Sequence, residues 1–196
     1  MITLTGHSSI NISASKEIWI DPFKLDRYYG NADIILITHP HYDHFSPDDI
    51  EKVKKEDSVI VAPCDIESAD YKLLPGDELE IDGVVIRAVP AYNKLKPFHP
   101  KKNNWLGYIV TIDGETFYIC GDTDKTKEAE SISCDTLLVP CGGTYTMNAK
   151  EAASLANCIN PKKAIPTHYG SIVGSVNDGE EFKNLLLKDI ECELLI

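Results

Sequence analysis

The amino-acid sequence predicts an α/β fold on three features. Residues 33–37, Asp-Ile-Ile-Leu-Ile, form a short β-branched apolar run, which is typical of a parallel strand buried on both faces. Residues 46–49, Ser-Pro-Asp-Asp, then provide an N-cap, a proline at the first helical position and acids in the first helical turn. Nearer the C-terminus, strand-like runs alternate with helical segments in the order 135–140, 148–159, 163–166 and 179–188. This alternation indicates an α/β domain.

The other predicted strands are short and are separated by polar or glycine-containing turns. They cover residues 2–5, 10–12, 17–20, 58–63 and 190–196. Two further hairpins, within 79–86 and 106–120, turn through Asp-Gly pairs. Residues 50–55 complete the predicted helix that begins after Ser46.

The size and composition of the chain narrow the classes of protein it can be. Its 196 residues predict a single domain over residues 1–196. A net charge of −12 disfavours general nucleic-acid binding, which needs a basic surface. We expect no membrane partner, because no apolar run is long enough to span a bilayer. No signal peptide is visible and the six cysteines are scattered, so we expect reduced thiols and a cytoplasmic location.

A histidine-rich stretch directly follows the apolar run that ends at residue 37. It contains His39, His41, Asp43 and His44 within six residues. Imidazole and carboxylate groups are the usual protein ligands of zinc, manganese and iron. Four such groups in one loop would be costly to bury without partners, and a metal ion removes that cost. The stretch therefore predicts a metal site in a strand-to-helix loop.

Other candidate ligands also lie in loops after predicted strands. Asp122 follows the second hairpin, His168 follows the strand at 163–166, and His99 lies in a polar loop over 93–104. Because loops at one edge of a sheet converge, these residues can form one site with the histidine-rich stretch. Taken alone, Asp122 is interpreted as a turn residue, and so is His7, for which a supporting role beside the site stays open.

These motifs resemble those of the metallo-β-lactamase superfamily. The resemblance rests on His39-x-His41-x-Asp43-His44, with Gly-Asp-Thr at 121–123 and Pro-Thr-His-Tyr-Gly at 166–170. Weaker motifs at 6–9, 20–22 and 142–147 stand in the family's order. The chain looks most similar to the compact single-domain branch that includes the L-ascorbate-6-phosphate lactonase type. The resemblance implies a four-layer αβ/βα sandwich with two metal ions at one edge.

The resemblance also implies the ligands of each ion. It gives His39 and His41 to the first metal, Asp43, His44 and His168 to the second, and Asp122 as a bridge between them.

One position departs from the family pattern. The family's remaining ligand is usually a histidine after the strand that ends at residues 91–92, and this chain has Asn93 there. His99 is the predicted replacement, because imidazole is a better ligand than an amide for these metals. The alternative is that His99 is a loop histidine unrelated to metal.

The implied activity is metal-dependent hydrolysis. Two divalent ions, zinc first and manganese or iron as alternatives, would hold a bridging hydroxide that cleaves an ester, lactone, amide or phosphoester. Asp43 would be catalytic, orienting the nucleophile and accepting its proton. A flavodiiron oxygen reductase is disfavoured because that branch typically has glutamate in place of His41, and an RNA-processing nuclease would need a longer, more basic chain. A non-catalytic metal-binding or regulatory protein of the same fold is the alternative.

Basic residues in this acidic chain gather beside two of the predicted site loops. The loop at 93–104 contains no acid and holds Lys94, Lys96, Lys101 and Lys102, and Lys125 and Lys127 follow Asp122. These lysines predict a positive rim that attracts a small anionic substrate bearing phosphate or carboxylate. Solvated loop lysines are the alternative interpretation.

Overall fold

The computed structural model describes residues 1–196, whose strands form two mixed sheets. The first sheet has the strand order β1-β2-β3-β4-β5-β6, with β1 Ile2–Gly6, β2 Ser9–Ser13, β3 Glu17–Ile20, β4 Ala32–Leu36, β5 Lys54–Pro63 and β6 Tyr71–Leu73. The second sheet has the order β13-β12-β11-β10-β9-β8-β7, with β7 Glu78–Ile81, β8 Val84–Pro90, β9 Leu106–Ile112, β10 Glu115–Ile119, β11 Thr136–Pro140, β12 Lys163–Thr167 and β13 Glu191–Cys192.

Four α-helices and one 3-10 turn complete the structure. The helices are α1 Pro47–Val53, α2 Lys127–Glu130, α3 Ala149–Ile159 and α4 Val176–Leu185, and the 3-10 turn is Lys101–Asn103. Both sheets begin with antiparallel neighbours, β1 to β3 and β7 to β10. Both then continue with parallel neighbours, β3 to β6 and β10 to β13. No helix combines the length and apolar character that crossing a membrane requires.

The largest hydrophobic core lies between the two sheets and contains 20 buried residues contributed by both. Strand β4 shows why its sequence is almost continuously apolar. Ile34 and Leu36 belong to this central core, whereas Ile35 and Ile37 pack with α1 on the outer face. A second cluster of 19 buried residues joins the other sheet to α2, α3 and α4. The layers are therefore helix, sheet, sheet and helices, which confirms the predicted αβ/βα sandwich.

The boundaries of several predicted elements need correction. Helix α1 starts at Pro47 and ends at Val53, because Lys54 is extended and begins β5. Helix α4 starts three residues before the predicted 179, where Ser175 N–H binds Asp178 Oδ2 at 2.6 Å. The strand predicted over 190–196 is limited to Glu191–Cys192, because only these residues pair with β12. Strand β6 and helix α2 are absent from the sequence prediction, being only 3 and 4 residues long.

The fold brings several loops to one edge of the sandwich. Strands β8 and β10 run in the same direction, since each is antiparallel to β9, and β11 and β12 are parallel to β10. The loops after β8, β10 and β12, which carry His99, Asp122 and His168, therefore leave one edge together. The histidine-rich loop after β4 and the turn after β1, with His7, meet them there.

Candidate metal centre

The histidine-rich loop is fixed at its start by a buried aspartate. Thr38 donates its backbone N–H to Asp21 Oδ1 at 2.8 Å and its hydroxyl to Asp21 Oδ2 at 2.6 Å. Inside the loop, the backbone N–H of His44 binds His41 O at 2.9 Å and closes a turn. Ser46 then caps α1, as the sequence predicts. The loop is therefore held at both ends by hydrogen bonds.

The loop over 93–99 folds back on itself and carries His99 to the histidine-rich loop. Asn93 N–H donates to His99 O at 2.8 Å. The side-chain Nδ2 of Asn93 donates to Phe98 O at 2.8 Å and to Tyr145 O at 2.7 Å. His99 is 2% exposed. The structure thus brings His99 into the cluster, while Asn93 holds the loop closed.

Asp122 and His168 are placed by loops whose backbones pack closely against neighbouring segments. Gly121 has a φ of +63°, and a Cβ there would lie 2.7 Å from Leu106 O. A Cβ at Gly142 would lie only 2.1 Å from His168 O. Glycine is therefore required at both positions for these loops to approach one another.

Three imidazoles form what we call the first group: His39, His41 and His99. His99 Nε2 lies 3.1 Å from His41 Nδ1 and 3.3 Å from His39 Nε2, and the latter lies 3.1 Å from His41 Nδ1. Nitrogens bound tetrahedrally to zinc at about 2.0–2.1 Å stand about 3.3–3.4 Å apart. The triangle of nitrogens therefore has nearly the size of one face of such a site.

The second group consists of Asp43, His44 and His168. The Nε2 atoms of both histidines lie 3.9 Å from Asp43 Oδ2. His7 joins them, since its Nε2 lies 3.1 Å from the same oxygen. One donor atom from each of these four residues lies within 4.8 Å of the others. The structure thus brings the second predicted ligand set together and adds His7 to it.

Asp122 lies between the two groups. Its Oδ2 is 3.3 Å from His99 Nε2 and 3.2 Å from His168 Nε2, and its Oδ1 is 3.3 Å from His44 Nε2. One carboxylate therefore contacts members of both groups, which is the position that a bridging ligand needs.

The donor atoms of this cluster fit a metal better than they fit one another. His44 Nε2, His168 Nε2 and Asp122 Oδ1 are buried and make no hydrogen bond. His44 Nε2 and Asp122 Oδ1 are only 3.3 Å apart, so they are close without being aligned to bond. Unpaired buried groups of this kind cost about 1–3 kcal/mol each. A cation bound to them removes that cost, so the residues present suit the metal that the resemblance implies.

Burial sets the protonation state of the first group. It lowers the pKa of His39 well below the usual value and that of His99 to about 4. Burial also lowers the pKa of the half-buried His41. These imidazoles are therefore neutral at pH 7, which is the state that binds a metal.

Neighbouring carboxylates set the protonation state of His44 in the second group. Burial alone would lower the pKa of His44, but three carboxylates, with Asp122 foremost, outweigh it and raise that pKa to about 9. Burial would raise the pKa of Asp122, but the neighbouring histidines hold it well below its usual value. The second group thus keeps ionised carboxylates next to its imidazoles.

Asp21 and His7 lie beside the site, although the sequence pattern assigns them little. Asp21 is predicted only to end a strand, yet it is 1% exposed and its Oδ2 lies 2.7 Å from His44 Nδ1. Carboxylates in this position orient metal-binding imidazoles. His7 lies in the predicted turn but is 2% exposed, and its Nδ1 lies 3.3 Å from Ser171 Oγ. The sequence signals for both are the short motifs at 6–9 and 20–22.

A cavity of about 270 Å³ opens above the candidate ligands. Four of the residues that line it are candidate ligands, namely His41, Asp43, His99 and Asp122. The others are apolar or aromatic, namely Tyr42, Phe98, Tyr145, Ile172 and Val173. A small molecule can therefore reach the cluster from solvent.

No lysine lines this cavity, so the lysines of the predicted positive rim are not part of its walls. Three of the lysines are paired with acids: Lys96 with Asp124, Lys101 with Glu128, and Lys125 with Glu130. Lys94, Lys96 and Lys125 line a separate cleft. Long side chains reach the nearest carboxylate, so the position of these lysines along the chain did not predict where their charges lie.

Comparison with known proteins places the chain in a family. A model of the beta-lactamase superfamily domain matches residues 1–168. A UPF0173 metal-dependent hydrolase of Thermococcus onnurineus is 35% identical over 214 residues, covering 99% of this chain and 95% of the relative. Another, from Pyrococcus abyssi, is 34% identical over 206 residues, covering 94% and 91%.

Solved structures agree with this placement. The crystal structure of a protein named as a metal-dependent hydrolase from Parabacteroides distasonis matches with a TM-score of 0.86 at 33% identity, covering 98% of this chain and 91% of that one. Igni18, a metallo hydrolase from Ignicoccus hospitalis, shares the fold with a TM-score of 0.79 at 22% identity, covering 98% and 93%. The chain therefore belongs to the metallo-β-lactamase superfamily, as one of its metal-dependent hydrolases.

Proposed function

We propose that this hydrolase works with a dinuclear metal centre built from the two groups. The first group binds one ion, the second group binds the other, and Asp122 bridges them. The observation that carries the proposal is the position of Asp122, which contacts imidazoles of both groups while its Oδ1 makes no hydrogen bond. The donor set of imidazole and carboxylate favours zinc, with manganese and iron as alternatives.

The metals and the chain have separate parts in the proposed reaction. When bound, the two ions would activate a water molecule near neutral pH and would polarise the bond to be cleaved. Asp43 lines the cavity, so its carboxylate can orient the attacking water and accept its proton. Burial would raise the pKa of Asp43, but the hydrogen bond from His7 and the charge of His44 hold it below its usual value. Asp43 therefore stays ionised at neutral pH, as a ligand and a water-orienting group must.

The proposed substrate is a small molecule with an ester, lactone or phosphoester bond. A cavity of about 270 Å³ suits such a size. We propose that any negative charge of the substrate lies on its reacting group, because bound metal ions, and not lysines, would be the positive partners of that charge. We also propose a cytoplasmic location, with which the six unpaired cysteines agree.

The test is metal content together with hydrolysis. We expect the purified protein, reconstituted with zinc or manganese, to hold two ions per chain and to cleave members of a panel of aryl esters, lactones and phosphodiesters. Asp43→Ala should abolish turnover, and Asp48→Ala, a matched change at an exposed aspartate of α1, should not.

Two results would count against the proposal. A reconstituted protein without transition metal would remove the metal centre. A fully loaded protein that cleaves no member of the panel would leave the metal centre in place and remove the proposed bond types.

A further inference from the structure

The walls of the cavity differ from its floor. Candidate metal ligands form the floor, whereas the walls carry five side chains that are apolar or aromatic. Tyr42 is 66% exposed and Phe98 is 43% exposed. The Phe98 ring packs edge-on against Tyr145 at 4.7 Å between centroids. The walls thus present apolar surface to solvent directly above the ligands.

Exposed apolar surface in a concave site favours a ligand that covers it. Burial of such surface stabilises a complex by about 25 cal/mol per Å², and pockets for small molecules are typically lined in this way. A cavity of about 150 Å³ is enough to hold a benzene ring. The larger cavity here, about 270 Å³, therefore has room for a ring or a short alkyl chain beside the scissile bond.

The walls carry no positive charge that could bind an ionised group of the substrate. No lysine or arginine lines the cavity, and Lys96, which lies closest in sequence to Phe98, is paired with Asp124. A carboxylate or phosphate pressed against these walls would lose water and find no cationic partner, only the neutral hydroxyls of Tyr42 and Tyr145, and that is unfavourable.

We propose that the part of the substrate that does not react is a small, uncharged apolar group, aryl or alkyl, seated against Tyr42, Phe98, Tyr145, Ile172 and Val173. This inference rests on the proposed function, because it assumes that the scissile bond lies over the metal ligands. In this proposal the apolar walls select the substrate, and the metal centre binds its reacting group.

Hydroxamates test this inference without turnover, because they bind metal ions directly. Three probes share the hydroxamate and differ in the attached group: benzohydroxamate, acetohydroxamate and succinic monohydroxamate. Calorimetry with the zinc-loaded protein should show benzohydroxamate binding about tenfold tighter than acetohydroxamate, as burial of about 55 Å² of additional apolar surface predicts. Succinic monohydroxamate, whose carboxylate meets the apolar walls, should bind no tighter than acetohydroxamate.

Two variants in the loop at 93–104 distinguish the loss of a wall side chain from a general effect of altering the loop. Phe98→Ala removes a wall side chain and should reduce the benzohydroxamate preference to about threefold or less. Leu95→Ala is the control, because Leu95 is 96% exposed and does not line the cavity, so the preference should be unchanged. Phe98 is partly exposed, and its backbone contact with Asn93 survives truncation, so the variant should fold.

Equal binding of the three probes, tightest binding of the succinyl compound, or no binding at all would overturn the inference. The experiment needs the metal centre, which elemental analysis of the zinc-loaded protein checks beforehand, but it does not depend on the bond types of the hydrolase proposal. An apolar preference in a protein that cleaves no ester, lactone or phosphodiester would keep the cavity inference and reject the proposed bond types. Cleavage without any apolar preference would keep the proposed bond types and reject the cavity inference.

Discussion

The first group contains imidazoles alone, whereas the second combines Asp43 with two imidazoles. The surroundings differ as well. The first group packs against Trp105, whose ring centroid lies 4.8–5.4 Å from the three imidazoles. The second is backed by hydrogen bonds to the buried Asp21 and to His7. The first group therefore depends, through His99, on how the loop at 93–99 closes, and the second depends more directly on polar contacts inside the sandwich.

The first and second groups also differ in charge. Burial keeps the imidazoles of the first group neutral, whereas carboxylates in and beside the second group already compensate the positive charge of His44, which a bound cation would replace. A site in which one half is supported by a loop and the other by the core should lose its metals separately. We therefore expect substitutions in each half to affect one ion more than the other.

The largest expected effect is the loss of a direct ligand from the first group. His99→Ala should weaken binding of one ion by more than about a hundredfold, more than the loss of a supporting residue costs. Asn93→Ala should have a smaller effect, because the Nδ2 of Asn93 holds the loop and its buried, unpaired Oδ1 is a weaker ligand than imidazole. Zinc titration against a competing chelator, with elemental analysis, measures both. A larger loss in Asn93→Ala would show that loop closure, and not His99 itself, supports the first group.

A supporting carboxylate of the second group should matter next. Asp21→Asn replaces the acceptor of the His44 Nδ1 contact at 2.7 Å, and metal affinity should fall about 10–100-fold for one ion while the other is retained. Asp33→Asn is the matched control, since Asp33 also binds a backbone N–H, that of Glu17 at 2.7 Å, but lies at the start of β4 away from the site. Equal weakening of both ions by Asp21→Asn would mean that the two groups share their support.

The comparison also shows which parts of the site the sequence could predict. The cluster around His39 is local, and its spacing alone indicated a metal site. The positions of Asp122 and His168 at the site edge could be predicted because each follows a predicted strand, whereas their roles as ligands were implied only by the family resemblance. Asp21 could not be predicted in its supporting role, because its contact with His44 spans 23 positions and depends on β3 pairing with β4.

The sequence predicted strands well where they are buried on both faces. It predicted strand boundaries poorly where these depend on pairing with a neighbouring strand. Ile34 faces the central core and Ile35 faces the outer one, so β4 is apolar on both faces. Its continuous apolar run is therefore recognisable from the sequence alone. The C-terminal segment at 190–196 is also rich in apolar residues, but only Glu191 and Cys192 pair with β12. The partners of three of the lysines could not be read from the sequence for a similar reason, since their salt bridges to Asp124, Glu128 and Glu130 are tertiary contacts.

The smallest effect on the metals is expected at Asp49, which supports the helix after the histidine-rich loop. Asp49 Oδ2 accepts from Lys24 N at 2.8 Å and Ser46 Oγ at 2.8 Å, and Oδ1 accepts from Leu25 N at 3.1 Å and Lys52 Nζ at 2.8 Å. Burial would raise the pKa of Asp49, but these hydrogen bonds hold it below its usual value. The carboxylate contacts no candidate ligand, so Asp49→Asn should leave the metal content unchanged.

The pH dependence of stability distinguishes this residue from the two groups. Because the pKa of Asp49 is lower in the folded state, its contribution is complete above the unfolded pKa of about 4 and is lost as the pH falls through the folded value. Asp49→Asn should therefore lower the free energy of unfolding by about 1–2 kcal/mol at pH 7, and the difference should shrink below about pH 4. Urea unfolding of both metal-free proteins at several pH values measures it. A difference that stays constant with pH would assign the loss to packing instead of charge.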